Sequence, residues 1–201
     1  MKSLRIGITG GIGSGKSLVC KIFSLLGAPI YDADSRAKKL MTEDQVLVKS
    51  IKEKFGSQSY LEDGSLNRAY LSDTVFNNSE QLQILNGLVH PRVAIDGENW
   101  FLQNQTARYA IKEAALLFES GAYKALDKII VVTAPEDLRI QRVLNRDHER
   151  TRAAVEKIIH NQISETEKIS RADFVIINDE QQLVIPQVLK LHERFVSALE
   201  I

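Results

Sequence analysis

One short run of glycines carries the strongest chemical signal in this sequence. Residues 10–17 read Gly-Gly-Ile-Gly-Ser-Gly-Lys-Ser, which fits the phosphate-binding pattern GxxxxGK[ST] known as the P-loop. Glycines let the backbone turn so that successive N–H groups point at one cluster of phosphate oxygens. In this pattern Lys16 reaches the β- and γ-phosphates, and the Ser17 hydroxyl helps to hold Mg²⁺. The run predicts a nucleoside triphosphate site; the alternative is a glycine-rich turn without a ligand.

Two aspartates offer a base for a transfer reaction. Tyr31-Asp32-Ala33-Asp34 ends a short apolar run, and the carboxyl ends of parallel strands face the ligand crevice in open α/β sheets. A carboxylate there can accept the proton of an attacking hydroxyl. Asp34 is the preferred candidate and Asp32 the second, while the competing interpretation is that either one caps a helix near Ser35.

Arginines and acids further along the chain supply other candidates. Arg142 and Arg146 lie in a charged, helical stretch, and Arg142 is predicted to bind the transferring phosphoryl group, because a guanidinium donates two hydrogen bonds to phosphate oxygens at once. The neighbouring Arg150 and Arg152 are interpreted as a solvated helix face. Whether Glu113 or Glu119 assists the metal stays open.

Strands and helices must place these groups. Five apolar runs predict strands, and two of them are continuous, as in a parallel sheet covered on both faces. Apolar residues at helical spacing between Lys16 and Leu26 predict a helix after the glycine run. Strand–helix alternation favours an α/β fold with a doubly wound sheet. The predicted strands are Leu4–Thr9, Ala28–Tyr31, Tyr109–Lys112, Lys128–Thr133 and Phe174–Ile177.

The stretch from about residue 35 to 106 is too long for one crossover connection. It shows several helical patterns: Asn78-Ser79 predicts a helix start, and His90-Pro91 is predicted to separate that helix from the next. We expect a helical insertion there. His90 is interpreted as shaping that junction.

Composition limits the function classes. The chain has 201 residues, and its 26 Lys+Arg balance its 26 Asp+Glu, so no global positive charge indicates nucleic acid or an anionic membrane. The single cysteine, Cys20, cannot form an internal disulfide and is expected to be a packing residue. No apolar run approaches the length of a membrane span, and no signal peptide is recognised, so a cytoplasmic location is expected.

The ordered set of motifs resembles the dephospho-CoA kinase family, and the likeness extends from about residue 4 to 179. It rests on the glycine run, Asp32-Ala33-Asp34, Leu66-Asn67-Arg68, Val75-Phe76, His90-Pro91, Leu116-Leu117-Phe118-Glu119, Gln141-Arg142, Arg146-Asp147, Gln162, Lys168 and the run from Ala172 to Asn178. No guanine-reading motif is found, since Thr133-Ala134-Pro135-Glu136 occupies its place.

The resemblance implies a P-loop kinase fold with a five-stranded parallel sheet, flanked by helices, in a single domain. The core is expected at about 1–34, 107–137 and 169–201, an acceptor-binding helical insertion at 35–106 and a mobile lid at 138–168. The implied reaction transfers the γ-phosphate of ATP, with Mg²⁺, to the ribose 3′-hydroxyl of dephospho-CoA. The implied partners are these two substrates, without nucleic acid or membrane, and the chain is expected to be a monomer or weak homo-oligomer.

Residue roles are carried over from the family position by position. Lys16, Asp34 and Arg142 are the expected catalytic residues, Asp34, Arg68 and His90 the acceptor contacts, and Ser17 the metal ligand. Leu18 stands where the family often has threonine, so only its backbone N–H is expected to donate. The expected ATP contacts are Gly11, Ile12, Gly13, Ser14, Gly15, Lys16, Ser17 and Leu18.

Two other functions stay open. Another small-molecule or nucleotide kinase would share this fold and differ in its acceptor. A regulatory module would bind nucleotide without transferring phosphate.

Overall fold

The computed structural model describes residues 3–76 and 78–197. The chain groups into two compact units: residues 1–32 with 100–201, and residues 33–99. The ends of the predicted core, 1–2 and 198–201, lie outside the described residues, and so does the side chain of Phe76 in one of the quoted motifs. None of the described helices is long and apolar enough to cross a membrane.

The first unit is built on a five-stranded parallel sheet, which confirms the predicted fold class. The strand order is β2-β3-β1-β4-β5, so the strand before the glycine run is central. All neighbouring pairs are parallel, and all carboxyl ends therefore lie at one edge. The strands are β1 Leu4–Thr9, β2 Ile30–Asp32, β3 Tyr109–Glu113, β4 Lys128–Thr133 and β5 Phe174–Ile177.

Apolar side chains from two helices cover one face of the sheet. Ile6 and Ile8 of β1 are fully buried, and helices on the flanks present Phe23 and Phe195 to the same core, with ring centroids 6.5 Å apart. The helices within this unit are α1 Lys16–Leu25, α6 Glu136–Arg146, α7 Arg152–His160, α8 Glu165–Ser170 and α9 Val184–Ser197.

The second unit is helical, in keeping with the patterns in its sequence. Asp44 caps the helix that begins at Gln45 by accepting from the N–H groups of Val46 and Leu47 (3.0 and 3.1 Å), and it pairs with Arg92 at 2.6 Å. Arg36 makes a two-armed ion pair with Asp96 (2.9 and 2.7 Å). Its helices are α2 Ala33–Glu43, α3 Gln45–Phe55, α4 Arg68–Phe76 and α5 Ser79–Gln103, of which the last four residues belong to the first unit.

The longest helix corrects one prediction. Asn78 accepts from the N–H of Gln81 (3.1 Å), which confirms the predicted helix start. The predicted break at His90-Pro91 is wrong, because α5 continues through Pro91. Proline removes the N–H that would bond to the carbonyl of Gly87. Gly87 is exposed, so water can satisfy that carbonyl, and the turns on both sides keep the helix intact.

Candidate active site

The glycine run forms a tight turn between β1 and α1. Gly13 and Gly15 have φ values of 78° and 96°, in the left-handed region that favours glycine. A Cβ atom on Gly13 would lie 2.3 Å from the carbonyl oxygen of Arg139, and one on Gly15 would lie 2.2 Å from Nδ2 of Asn178. Both positions therefore require glycine for two reasons: the backbone conformation and the close approach of neighbouring segments.

Side chains from distant parts of the chain hold this turn in place. Nδ2 of Asn178 donates to the buried carbonyl of Ser14 at 2.8 Å. The N–H of Ile12 donates to Oε1 of Gln162 at 3.2 Å. The guanidinium of Arg139, which is almost fully buried, lies directly against Gly11. The turn is thus anchored by residues that follow β4 and β5.

Lys16 and Ser17 open helix α1 at the carboxyl edge of the sheet. Nζ of Lys16 donates to the carbonyl of Gly10 at 3.0 Å. Oγ of Ser17 donates to Oε1 of Glu113 at 2.9 Å, and Glu113 is the last residue of the adjacent strand β3. The positive end of the α1 dipole adds to the field that attracts phosphate. Glu113, whose role the sequence left open, therefore lies beside the predicted pair of Lys16 and Ser17 and bonds to Ser17.

Burial, together with the nearby Glu113, determines the character of Cys20. The thiol of Cys20 is buried in the core, and burial and then the charge of Glu113 raise its pKa far above the ordinary value. A thiol held in its neutral form is a poor nucleophile. Cys20 is therefore a packing residue, as expected.

The donors at this edge fit a hard cation and a triphosphate. Ser17 and Glu113 supply oxygen atoms, which Mg²⁺ prefers. Among the described residues no cluster of three or more His, Cys, Asp or Glu side chains could hold a metal by itself. Oγ of Ser14 is buried without a hydrogen-bond partner in the turn.

The two aspartates do not lie on one continuous strand. Asp32 ends β2 opposite Glu113 of β3, whereas Asp34 lies in the first turn of α2, in the second unit. Both side chains are exposed. Helix α2 begins at Ala33, so Asp34 lies inside the helix and does not cap a helix beginning near Ser35.

Arg142 is bound to the loop after β5. Its guanidinium donates to the backbone carbonyl of Asn178 (3.0 Å), to Oδ1 of the same residue (3.4 Å) and to Glu180 (3.1 Å). Arg139, one turn earlier on α6, is the buried arginine beside the P-loop, and the sequence interpretation missed it. The three-residue spacing places both on one helix face, which was the available signal.

Other arginines of the predicted lid pair with nearby acids. Arg150 pairs with Asp147, and Arg152 pairs with Glu156 and Asp137. The Glu119 carboxylate accepts from the N–H of Ile163 at 3.0 Å.

Glu165 lies beside Gly11 and forms a second charged group together with the buried Lys168. Nζ of Lys168 lies 3.9 Å from Glu165, and both oxygens of Glu165 are buried without a hydrogen-bond partner. Burial lowers the pKa of Lys168, while Glu165 and Glu119 oppose that shift.

The predicted acceptor contacts other than Asp34 also lie in the second unit. Arg68 is the exposed first residue of α4. His90 is half-buried in α5, and burial lowers its pKa.

A parallel sheet with the P-loop after its central strand, and a serine–carboxylate pair beside it, defines a P-loop kinase. The family model for dephospho-CoA kinase matches residues 4–183. The chain therefore belongs to the dephospho-CoA kinase family, which confirms the resemblance drawn from the motifs.

Individual relatives agree with this membership. A dephospho-CoA kinase from Bacteroides fragilis is 37% identical over 189 residues, covering 94% of this chain and 91% of the relative. The solved structure of a dephospho-CoA kinase from Campylobacter jejuni has a TM-score of 0.70 and 29% identity, covering 96% of this chain and 98% of that one. The structure of TT1252 from Thermus thermophilus has a TM-score of 0.81 and 29% identity, covering 99% of both chains.

Proposed function

We propose that this chain transfers the γ-phosphate of ATP to the ribose 3′-hydroxyl of dephospho-CoA, giving coenzyme A and ADP, the last step of coenzyme A biosynthesis. The observation that carries the proposal is the bond between Ser17 and Glu113 beside the P-loop, in a chain of this family. That arrangement supports phosphoryl transfer over a regulatory module that only binds nucleotide, because it supplies the groups that neutralise developing charge.

The P-loop side binds and orients the nucleotide. Its N–H groups and the start of α1 receive the phosphates, and Lys16 exchanges its bond to the Gly10 carbonyl for phosphate oxygens. Ser17, with Glu113 close by, would hold Mg²⁺, which would offset the negative charge of the phosphates. The N–H of Ile12 donates to Gln162 in the structure. The expected role of Ile12 as an ATP contact stays a prediction.

Asp34 is the proposed base. The 3′-oxygen of the ribose forms a bond to the γ-phosphorus while the bond from that phosphorus to the ADP oxygen breaks, and the hydroxyl proton passes to the carboxylate of Asp34. The support is its place two residues beyond the carboxyl end of β2 and its family position.

Arg142 is proposed to stabilise the transferring group. It must first release Asn178 and Glu180, which hold it in the structure. Glu180 is exposed, but Arg142 is only 24% exposed, so this release breaks two hydrogen bonds to Asn178 and a partly buried ion pair. Closure of the 138–168 stretch would then exclude water from the phosphoryl group.

The remaining expectations belong to the same proposal. Arg68 and His90 are proposed acceptor contacts on the helical insertion. The balanced charge of the chain supports small-molecule partners over nucleic acid or membrane. A cytoplasmic location and a monomeric or weakly self-associating chain complete the proposal.

ADP release with a panel of acceptor alcohols tests the substrate. We expect dephospho-CoA to stimulate turnover and other hydroxyl compounds to leave it near the background rate. Stimulation by a different acceptor alone would assign the chain to another kinase activity, and no acceptor-dependent ADP release would indicate a regulatory module.

Replacing Asp34 by Asn tests the base. Turnover should fall by about 10²- to 10⁴-fold, since an amide cannot accept the proton, while the affinity for Mg·ATP stays within about twofold. An unchanged rate would remove Asp34 from the base role.

A further inference from the structure

Gln162 contacts two separate parts of the nucleotide site with one side chain. It lies between α7 and α8, at the end of the predicted lid. Its Oε1 accepts from the N–H of Ile12 in the P-loop at 3.2 Å, and its Nε2 donates to the carbonyl of Ala115 at 3.4 Å. One amide group therefore links chain segments that are 150 and 47 positions away from it.

Each of these two partners lies close in the chain to one residue of the proposed metal site. Ile12 belongs to the turn that precedes Lys16 and Ser17. Ala115 follows Glu113 by two residues, and Glu113 accepts from Ser17. The Ala115 carbonyl also accepts from Oγ1 of Thr9, the last residue of β1, at 3.4 Å. Hence a shared set of hydrogen bonds sets the spacing between the P-loop and the end of β3. Gln162 contributes to this set although it lies outside the two strands.

The residues after Gln162 continue along the same surface. The N–H of Ile163 donates to Glu119, which lies beyond Ala115 in the chain. A carboxylate oxygen of Glu165 is 3.3 Å from where a Cβ atom of Gly11 would lie. Contacts at both ends of residues 162–165 hold the position of Gln162.

We propose that Gln162 is a positioning residue for the nucleotide: it keeps the P-loop and the end of β3 at the separation that Mg·ATP requires. It acts on ATP through Ile12 and Ala115 and does not touch the reacting atoms. Only the KM measurements rest on the proposed function. The main measurement is the binding of Mg·ATP without any acceptor.

Replacing Gln162 by Met keeps the side-chain volume and removes both hydrogen bonds. We expect the Kd and KM for Mg·ATP to rise about tenfold, in line with the loss of one or two such bonds, with the KM for the acceptor within twofold. Gln187 provides the matched control, since its amide likewise bonds to the backbone of Ile177 through both arms (2.9 Å each). Gln187→Met should lower the unfolding temperature by about as much as Gln162→Met does. It should leave the Kd for Mg·ATP within twofold of the wild-type value.

Hydrogen exchange of the unaltered protein supplies a second measurement. The Ile12 amide should be protected, and in Gln162→Met it should exchange at least tenfold faster, whereas Gln187→Met should not change it. An unprotected Ile12 amide, an unchanged Kd in Gln162→Met, or an equal rise in both variants would overturn the proposal. Normal ATP binding without transfer to dephospho-CoA would count against the proposed function alone.

Discussion

The P-loop turn and the helical unit of residues 33–99 are stabilised in different ways. The side chains that fix the P-loop segment come from far along the chain: Asn178 bonds to Ser14 across 164 positions and Glu113 to Ser17 across 96. In the helical unit the strongest polar contacts are closer in sequence. Arg92 meets Asp44 across 48 positions.

The kinds of contact differ as well. At the P-loop, the amides of Asn178 and Gln162 bond to backbone groups of the turn, and the charged Arg139 and Glu113 contact it as well. In the helical unit, charges pair with each other and with helix ends, as Arg36 does with Asp96. Substitutions of the P-loop anchors should therefore change nucleotide binding, and substitutions of the ion pairs in the helical unit should change stability.

Of the substitutions that test this comparison, Glu113→Gln should have the largest effect. Glutamine keeps an oxygen that can accept from Ser17, but it removes the negative charge beside the proposed metal. Activity should fall by about 10- to 100-fold, with a higher Mg²⁺ concentration needed for half-maximal rate. Glu119→Gln is the control, because Glu119 bonds to Ile163 and not to Ser17. An equal Mg²⁺ shift in both variants would contradict the role of Glu113.

Asp44→Ala should destabilise the helical unit without changing nucleotide affinity. The variant loses the cap of α3 and leaves Arg92 without its carboxylate, so the free energy of unfolding should fall by about 2 kcal/mol. Denaturant unfolding measures this loss, and the KM for Mg·ATP at 25 °C should stay within about twofold. A large rise in that KM would mean that the two regions are not separable.

The same residue predicts how stability depends on pH. Burial raises the pKa of Asp44, but Arg92 and the N–H groups of Leu47 and Val46 lower it by more. The net result is a pKa below the ordinary value of 3.8. A depressed pKa contributes stability above the unfolded value, and that contribution is lost as the pH falls through the folded value. The stability difference between the wild type and Asp44→Asn should therefore be largest above pH 4 and shrink below it. A difference that grows on acidification would contradict this.

The sequence predicted most of the sheet because buried strands appear in it as short, continuous runs of apolar residues. Strands β1, β4 and β5 have the predicted bounds, and α1 ends one residue early. The prediction for β2 is wrong at both ends, since β2 begins two residues later and ends one residue later than the predicted Ala28–Tyr31. β3 extends to Glu113, one residue past its prediction, because the sheet buries even Lys112 and Glu113. Polar residues of that kind break the apolar pattern from which strands are inferred.

The site was predictable only where one motif contains it. The glycine run identified Lys16 and Ser17, but the anchors Arg139, Gln162 and Asn178 have roles that arise from contacts across the fold. In sequence, a glutamine or asparagine between helices is typical of a solvated loop. Gln162 and Asn178 stood within family motifs without a function, and only the hydrogen bonds give them one.

The smallest effect is expected from Arg152→Ala, which separates arginines with a structural pairing from those with a proposed catalytic role. Arg152 pairs with Glu156 and Asp137 on an exposed surface, where such pairs contribute little. Its loss should leave both kcat and the unfolding midpoint unchanged. Arg142→Ala should lower kcat by at least tenfold, because the guanidinium is proposed to meet the phosphoryl group once Asn178 releases it. Equal rates for the two variants would show that a charged lid surface, and no single arginine within it, supports the transfer.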